Sequence, residues 1–328
     1  MRGGRNKEMK FAIYGFYFTR EFSFNNLYFT PNKRNVSFWE GVNISKDKYQ
    51  YNLTGYIDTP ELEVDKFIFV MQAVLTFVQQ QDVSIKLVTN KNPIDFFSSD
   101  FERRGTGAPF AMYCDLQEEI VGKLYIKLND NNDLCNQKDN NSVFGNLHNC
   151  EFRSLVYKVI EPLHMRRNFI EMSYFLYFSG LEAFCKQYLK SYYPEINIVK
   201  DASKNIAQML EKLEINYIQV DTSDMNYNLR NHDIKKEDFL KLSLSTYSNL
   251  RNSLFHENLF VAETESSIIR DSNGKYLKED VLITNYVYNL HRLCNVVIIK
   301  YIGVENSRFD SSKWYTRFPL VKSVTGEN

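Results

Sequence analysis

Apolar positions in the first 127 residues fall mainly into short runs that predict β-strands. Four runs within residues 11–57, FAIYGFYF, EFSFNNLYF, NVSFWEGVNI and YQYNLTGYI, are rich in Phe, Tyr, Ile and Val. Aromatic and β-branched residues favour strands, and the Asn, Pro, Lys and Gly residues between the runs favour turns. The runs VSIKLVTN, AMYCDL and KLYIKL, at 83–90, 111–116 and 123–128, predict three further strands.

One segment of the same region follows a helical period. Residues 66–81, KFIFVMQAVLTFVQQQ, lack Gly and Pro and are long enough for a helix. Their apolar residues recur every three or four positions, at Phe67, Val70, Met71, Val74, Leu75 and Val78. This spacing gives a helix one apolar face. Residues 11–127 are therefore predicted to form an α+β domain, with antiparallel strands and a packed helix.

The pattern changes after an Asn- and Asp-rich stretch at 128–150, which we interpret as a linker because these residues satisfy the backbone locally and interrupt regular structure. Long helical patterns follow at 151–194, 201–215, 235–260 and 276–304. Pro162 is expected to divide the first pattern and Pro194 to end it, while Asp201 or Ser203 is the expected N-cap of the second. Residues 151–303 are predicted to form an all-α helical bundle, followed by a tail at 304–328.

Composition narrows the class of protein. The formal net charge is +0, which argues against binding nucleic acid through bulk positive charge, although a local basic patch is compatible with it. Five widely spaced cysteines without a CxxC pair indicate reduced thiols and a cytoplasmic protein. Cys135, His148 and Cys150 have no compact zinc-ligand spacing, so we predict no metal site. No apolar run reaches the length of a membrane span.

The stretch RNSLFH, at 251–256, combines three groups that suit RNA cleavage. An imidazole exchanges a proton near neutral pH, which makes His256 the candidate general acid or base. Arg251 stays protonated, and its planar guanidinium suits phosphate oxygens. Asn252 lies four residues before His256, so it is predicted to orient the imidazole or the scissile group. Arg251 and His256 are separated by about 140° on an ideal helix. Either the helix starts, ends or distorts near Ser253, or two copies of the chain contribute to one site.

The RN-x-x-x-H pattern, late in a set of helices that includes SYFLYFSGLEAF at 173–184, resembles the HEPN superfamily. Many HEPN domains are metal-independent ribonucleases with an R-x(4–6)-H motif, often with Asn after the Arg. The resemblance implies that the chain is an RNA endonuclease without cofactors, acting as a homodimer whose paired motifs form one cleft. Attack by the RNA 2′-hydroxyl would leave a 2′,3′-cyclic phosphate and a 5′-hydroxyl.

The resemblance also suggests supporting residues. Glu182 is predicted to face the motif and hold Arg251, with a salt bridge at the rim of the domain as the alternative. Arg166, Arg167 and Lys186 are candidate contacts to the RNA backbone, although a solvated basic face is the better explanation for each of them taken singly.

The first half of the chain is similar in texture to the front halves of ApeA-like anti-phage proteins. This similarity implies abortive defence against phage, in which the N-terminal domain senses a phage-derived trigger and host RNA such as tRNA is cut. Two alternatives stay open: a non-catalytic HEPN-like protein that binds RNA, nucleotide or a partner, and a toxin restrained by a separate antitoxin.

Overall fold

The computed structural model describes residues 9–32, 49–60, 63–89, 96–99, 114–129, 151–164, 169–215, 244, 246–257, 261–270, 276–282 and 286–304. The chain divides into two compact units, Met1–Asp130 with Leu163–Arg167 and Asn131–Pro162 with Asn168–Asn328. The predicted strand at 35–44, the linker from residue 130 and the tail from residue 305 lie outside the described residues.

The first unit contains an antiparallel sheet. Its described strands are β1 (Met9–Tyr14), β2 (Phe22–Phe24), β3 (Leu27–Pro31), β4 (Tyr49–Thr59), β5 (Ser84–Leu87) and β6 (Phe96–Ser99). Five strands follow the order β2-β3-β4-β1-β5, and β6 pairs with the first residues of β4. All of these pairings are antiparallel, which confirms the predicted antiparallel character of this region.

The run EFSFNNLYF forms a hairpin rather than one strand. Asn25 and Asn26, which connect β2 to β3, have φ angles of 45° and 61°. Asn tolerates this left-handed conformation, and hairpin turns with two such residues match the twist of the flanking strands. Farther along the sheet, a Cβ atom at Gly55 would lie 2.5 Å from the ring of Phe18 and 2.7 Å from the carbonyl oxygen of Thr30. The sheet therefore has space only for glycine at this position.

A long helix, α1 (Val64–Gln79), packs against β1, in agreement with the helix predicted at 66–81. All six apolar positions named for that prediction are buried. The rings of Phe11 in β1 and Phe67 in α1 are 4.7 Å apart between centroids. Since Ala12 and Tyr14, on the opposite face of β1, are also about 1% exposed, this strand is buried on both faces. The prediction of a helix packed on the sheet is confirmed.

The two strands predicted at 111–116 and 123–128 are wrong, because Cys114–Asn129 forms one helix, α2. Its buried apolar residues recur every three or four positions, at Leu116, Ile120, Val121, Leu124 and Leu128. The aromatic ring of Tyr125 contacts Phe24 of β2 and Phe67 of α1, with centroid distances of 5.7 Å and 6.2 Å. The helical period thus decides the structure over the strand propensity of the two short runs.

The second unit is mostly helical. Its named elements are α3 (Glu151–His164, with Leu163 and His164 grouped with the first unit), α4 (Ile170–Tyr192), α5 (Ala202–Lys212), β7 (Val261–Arg270), β8 (Tyr276–Leu282) and α6 (Val287–Tyr301). Residues 246–252 are also α-helical. The pattern at 151–194 forms two helices as predicted, and α3 ends at His164, two residues after Pro162. Asp201 caps α5 as predicted, because its carboxylate accepts a hydrogen bond from the Ser203 amide.

A two-stranded ribbon requires a correction to the all-α expectation for 151–303. The strands β7 and β8 pair antiparallel, with Val261 opposite Leu282 and Glu265 opposite Lys278. Residues 276–282, predicted to begin the last helix, therefore form a strand, and α6 starts only at Val287. The coarse order of an antiparallel sheet followed mostly by helices holds, whereas the second unit is not all-α.

The helix α4 packs closely against α3. A Cβ atom at Gly180 of α4 would lie 3.2 Å from the side chain of Lys158 and 3.3 Å from that of Leu155. One turn along α4, the ring of Phe184 lies 5.9 Å from that of Phe152 at the start of α3. Glycine thus allows the two helices to approach each other at this position.

Candidate functional site

The candidate motif lies where a helix changes its hydrogen-bonding period. Residues 246–252 are α-helical, and Ser253–Glu257 form a single π-helical turn. We call residues 246–257 the motif segment. A π turn has i→i+5 hydrogen bonds, so it widens the helix and reduces the angular separation of residues five apart. Arg251 and His256 are five residues apart. Their spacing required either a distortion of the helix near Ser253 or a second copy of the chain, and the helix is distorted from Ser253 onward.

Buried hydrogen bonds hold the motif segment against its neighbours. The hydroxyl of Tyr174, in α4, donates to the carbonyl oxygen of Tyr247 at 3.0 Å. The hydroxyl of Ser203, in α5, donates to the carbonyl oxygen of Leu244, two residues before the motif segment, at 3.1 Å. The ring of Tyr247 also meets that of Tyr286 edge-on, with centroids 5.7 Å apart. The segment is therefore anchored by α4, by α5 and by the residue that precedes α6.

Arg251 lies between an amide and a carboxylate. Its Nη1 donates to Asn252 Oδ1 at 2.7 Å, and its Nη2 lies 3.6 Å from Glu182 Oε2. The Arg251 side chain is 30% exposed and that of Glu182 is 18% exposed, so water screens this ion pair only in part. The Nζ of Lys186 is 2.7 Å from the other carboxylate oxygen of Glu182. One carboxylate therefore pairs with two cations.

An exposed aromatic ring connects the two candidate catalytic groups. Phe255 is 62% exposed, although it is large and apolar. Its ring meets that of His256 edge-on at 5.2 Å between centroids, and the guanidinium carbon of Arg251 lies 5.8 Å from its centroid. On α4, Phe175 stacks with Phe255 at an interplanar angle of 8° and a centroid distance of 5.8 Å. The site consequently combines a cation, an imidazole and an open aromatic surface.

The predicted site residues differ in where the structure places them. Arg251, Asn252 and Glu182 contact one another in a chain, while His256 is exposed and adjoins the group through Phe255. Asn252 was predicted to orient the imidazole or the scissile group, and in the structure its Oδ1 accepts from Arg251 instead. Lys186 is exposed, but its charge is paired with Glu182. The predicted RNA contacts Arg166 and Arg167 lie outside the described residues.

Phe255 and Phe175 did not emerge from the sequence as site residues. Phe255 lies inside the motif, one residue before His256, but its spacing resembles that of an ordinary core residue. Phe175 lies seven residues before Glu182 on α4. Residues seven apart share a face of a helix, so this spacing is the signal that places Phe175 beside the motif.

Three other groups of the second unit with acid, base or nucleophilic chemistry, His291, Cys185 and Cys294, are buried. His291 is 3% exposed, and burial lowers its pKa to about 3, so it stays neutral. Burial also raises the pKa of the Cys185 thiol to about 12 and that of the Cys294 thiol well above its usual range. A thiol needs its deprotonated form to act as a nucleophile. These residues are therefore part of the core, and His256 is the exposed imidazole of the motif.

Neither known proteins nor a metal site or membrane-spanning helix adds to the description of this site. No protein-family model, curated protein or solved structure matches the chain. Within the described residues, no three His, Cys, Asp or Glu side chains cluster as ligands of a metal ion would. None of the described helices combines the length and apolar character required to cross a membrane.

Proposed function

We propose that the chain is an RNA endonuclease of the HEPN type, with its site at the Arg251–His256 turn. The observation that carries this proposal is the position of Arg251, held by Glu182 and Asn252 two residues before a π turn that presents His256 to solvent. Single π turns within helices occur often at functional sites. A guanidinium and an imidazole on one exposed turn are the two groups that metal-independent cleavage of RNA requires.

Each group has a definite role in the proposed reaction. His256 takes the proton from the 2′-hydroxyl or supplies one to the leaving 5′-oxygen, and its exposure allows it to reach the substrate. Arg251 binds the phosphate and stabilises the negative charge that develops at phosphorus. Its Nε–H is buried and has no hydrogen-bond acceptor among the described residues. Rotation of the guanidinium toward a phosphate would give this donor a partner, which favours an anionic ligand.

Asn252 and Glu182 are proposed as positioning residues. Glu182 is mostly buried and holds one side of the guanidinium, while Asn252 accepts from the other side. This arrangement restricts the rotamers of Arg251 before RNA binds, which lowers the entropic cost of reaching the reactive geometry. The edge of the guanidinium that faces Glu182 has to exchange this carboxylate for phosphate oxygens when substrate arrives. The support for this step is the solvent exposure of the Arg251 side chain.

The decisive experiment is RNA cleavage in the presence of EDTA. We expect the wild-type protein to produce 2′,3′-cyclic phosphate ends, and we expect His256→Ala and Arg251→Ala to lower the rate by at least about a hundredfold. His164→Gln is the matched control, because it removes a histidine of the first unit that pairs with Asp82. Equal cleavage by wild type and His256→Ala would refute the proposal. RNA binding without cleavage by any form would favour the non-catalytic alternative.

A mixing experiment tests the proposed homodimer. Arg251→Ala and His256→Ala subunits are each inactive in the proposal. If the cleft joins Arg251 of one copy to His256 of the other, a mixed dimer regains one intact site. We then expect partial recovery of cleavage on mixing, with a maximum near one quarter of the wild-type activity for random pairing, since half of the dimers are mixed and each carries one of two sites. No recovery, with subunit exchange verified by mass, would place both groups in one chain.

The biological setting is part of the proposal and depends on the ApeA-like resemblance. The α+β first unit would sense a phage-derived trigger, and the second unit would then cut host RNA such as tRNA, within the cytoplasm. Sequencing the RNA ends that accumulate in cells expressing the protein, with His256→Ala as the control, identifies the target. Co-purification of a tightly bound second protein that suppresses cleavage would instead favour the toxin with an antitoxin.

A further inference from the structure

The ring of Phe255 is poorly explained by the folding of the chain alone. It is 62% exposed at the site, whereas large apolar side chains contribute most to stability when they are buried. Its position is nevertheless restrained, because Phe175 stacks with it at an interplanar angle of 8°. An exposed ring that is held in place presents a flat surface at a low entropic cost of binding.

The surroundings of this ring distinguish it from an ordinary exposed apolar residue. The guanidinium of Arg251 and the imidazole of His256 both contact the Phe255 ring. A phosphate bound by Arg251 would therefore lie within one nucleotide of the ring. In single-stranded RNA the bases next to a phosphate are free to turn outward and stack on aromatic side chains, while in a duplex they are stacked on one another.

We propose that Phe255 is a stacking platform for an unpaired base beside the scissile phosphate. This inference rests on the proposed function and adds a base-binding residue to that site. The Arg251 guanidinium takes the phosphate, the Phe255 ring takes the neighbouring base, and His256 meets the sugar between them. Because every base has an aromatic face, the platform selects for unpaired structure more than for a particular base.

A protein partner is the competing occupant of the same surface, and the charges beside the ring argue against it. A dry protein interface over Phe255 would also cover Arg251, Glu182 and Lys186, and burying ions is costly unless each one is fully paired. An RNA strand supplies both a phosphate for the guanidinium of Arg251 and an apolar base face for the ring of Phe255. RNA therefore satisfies the polar and the apolar parts of the surface together.

The experiment measures RNA affinity in the His256→Ala background, which prevents cleavage in the proposed mechanism. The probes are a fluorescein-labelled 12-nucleotide single strand and the corresponding duplex. We expect Phe255→Leu, which keeps an apolar side chain but removes the aromatic face, to weaken binding of the single strand about 5- to 150-fold. Phe255→Trp should retain the affinity, and duplex binding should change by less than twofold in both variants.

Met172→Leu is the matched control. Met172 is 50% exposed on α4, three residues before Phe175, and this substitution replaces one exposed apolar side chain by another. We expect it to leave the affinity for the single strand unchanged. We also expect a loss of affinity when the RNA lacks the stacked base. A strand with one abasic nucleotide at the stacking position should bind His256→Ala about as weakly as the intact strand binds His256→Ala with Phe255→Leu. Combining the abasic strand with Phe255→Leu should cause little further loss, because both changes remove the same contact.

The outcomes separate this inference from the proposed function. Cleavage is compared between the wild type and Phe255→Leu, both with His256 intact. If the wild type cleaves RNA, and if Phe255→Leu does not weaken binding or cleavage of the single strand, the stacking platform is refuted and the nuclease proposal stands. If the wild-type protein neither binds nor cleaves RNA, both proposals fail. If Phe255→Trp lowers the dimer content in solution while Phe255→Leu preserves both dimer and RNA affinity, the ring belongs to a protein interface and the inference is overturned.

Discussion

Lowering the pH from 7.5 to 5.0 should destabilise the second unit through one buried histidine. His291 is 3% exposed, its ring stacks with that of Tyr177 at 4.8 Å, and its Nε2 is 3.4 Å from Asn295 Nδ2. Burial, with a smaller contribution from the charge of Arg292, lowers its pKa from 6.5 to about 3. The folded protein therefore keeps this imidazole neutral over the whole range.

The sign and size of the effect follow from proton linkage. Because the folded pKa lies below the unfolded one, the unfolded chain takes up a proton first as the pH falls below about 6.5. Stability from this residue is complete above that pH and is lost progressively down to about pH 3. Each pH unit is worth about 1.36 kcal/mol, and pH 5.0 lies about 1.5 units below the unfolded value. We expect a loss of about 2 kcal/mol in the free energy of unfolding.

The assay compares urea unfolding of wild type and His291→Gln at both pH values, with the loss of helical circular dichroism as the signal. Gln keeps a polar side chain but cannot take up a proton, so its own stability at pH 7.5 serves as the reference. Other titrating groups contribute equally to both proteins and cancel in the comparison. The wild type should therefore lose about 2 kcal/mol more than the variant on acidification.

Equal losses in the two proteins would refute this reasoning, because they would show that His291 is protonated inside the fold or is exposed to water. The result also affects the cleavage experiments. A fall in RNA cleavage near pH 5 would include the unfolding of the second unit. The pH profile of cleavage is informative about the site only where urea unfolding shows that the fold is intact.

Three further outcomes are expected. Glu182→Gln should lower kcat for RNA cleavage about tenfold or more, because Arg251 loses its orientation. It should not raise KM, because the site loses a negative charge that competes with RNA. The control Glu195→Gln, at an exposed position beyond α4, should change neither constant. Gly180→Leu should lower the free energy of unfolding by about 1–3 kcal/mol through overpacking between α3 and α4, as measured by urea unfolding, and an unchanged midpoint would contradict the close approach. Asp201→Ala should cost about 1 kcal/mol in the same assay through loss of the cap of α5, whereas Asp201→Ser should retain most of it.

The parts of the fold that the sequence predicted well are determined by local patterns. The helix α1 has its apolar residues on one face over four turns, so its position was predicted within two residues at each end. The cap of α5 was predicted because Asp201 immediately precedes an apolar helical pattern. In both cases the information lies within one segment and requires no knowledge of what packs against it.

One error occurred where distant residues decide the structure, and another where strand-like runs concealed a helical period. The strand β8 is specified by pairing with β7, and residues such as Lys278 and Glu279 give its segment the local composition of a helix. The helix α2 was missed because two short runs around Cys114 and Tyr125 have strand propensity, although the period over the whole segment is helical. Tertiary pairing and packing overrule local propensity in such segments.

The chemical groups of the candidate site could be predicted from the sequence, whereas the exposure of its aromatic ring could not. The spacing of Arg251, Asn252 and His256 is visible in the sequence. Their five-residue separation left two alternatives, a helix that starts, ends or distorts near Ser253, where the π turn begins, or a second copy of the chain. The exposure of Phe255 depends on which neighbours cover it, and no local pattern encodes this. Its role in the proposed substrate preference therefore emerges only from the arrangement of α4 and the motif segment.

The double pairing of Glu182 has a consequence for how RNA affinity should respond to ionic strength. Binding to RNA usually weakens as salt is added, because each free cation that meets a phosphate releases a condensed counterion from the nucleic acid. Here Arg251 and Lys186 are already neutralised in part by a carboxylate of their own. A phosphate would replace that internal anion more than it would add an ionic contact. Affinity at this turn should accordingly stay nearly constant between dilute buffer and the salt concentration of a cell, with base stacking supplying a large share of it.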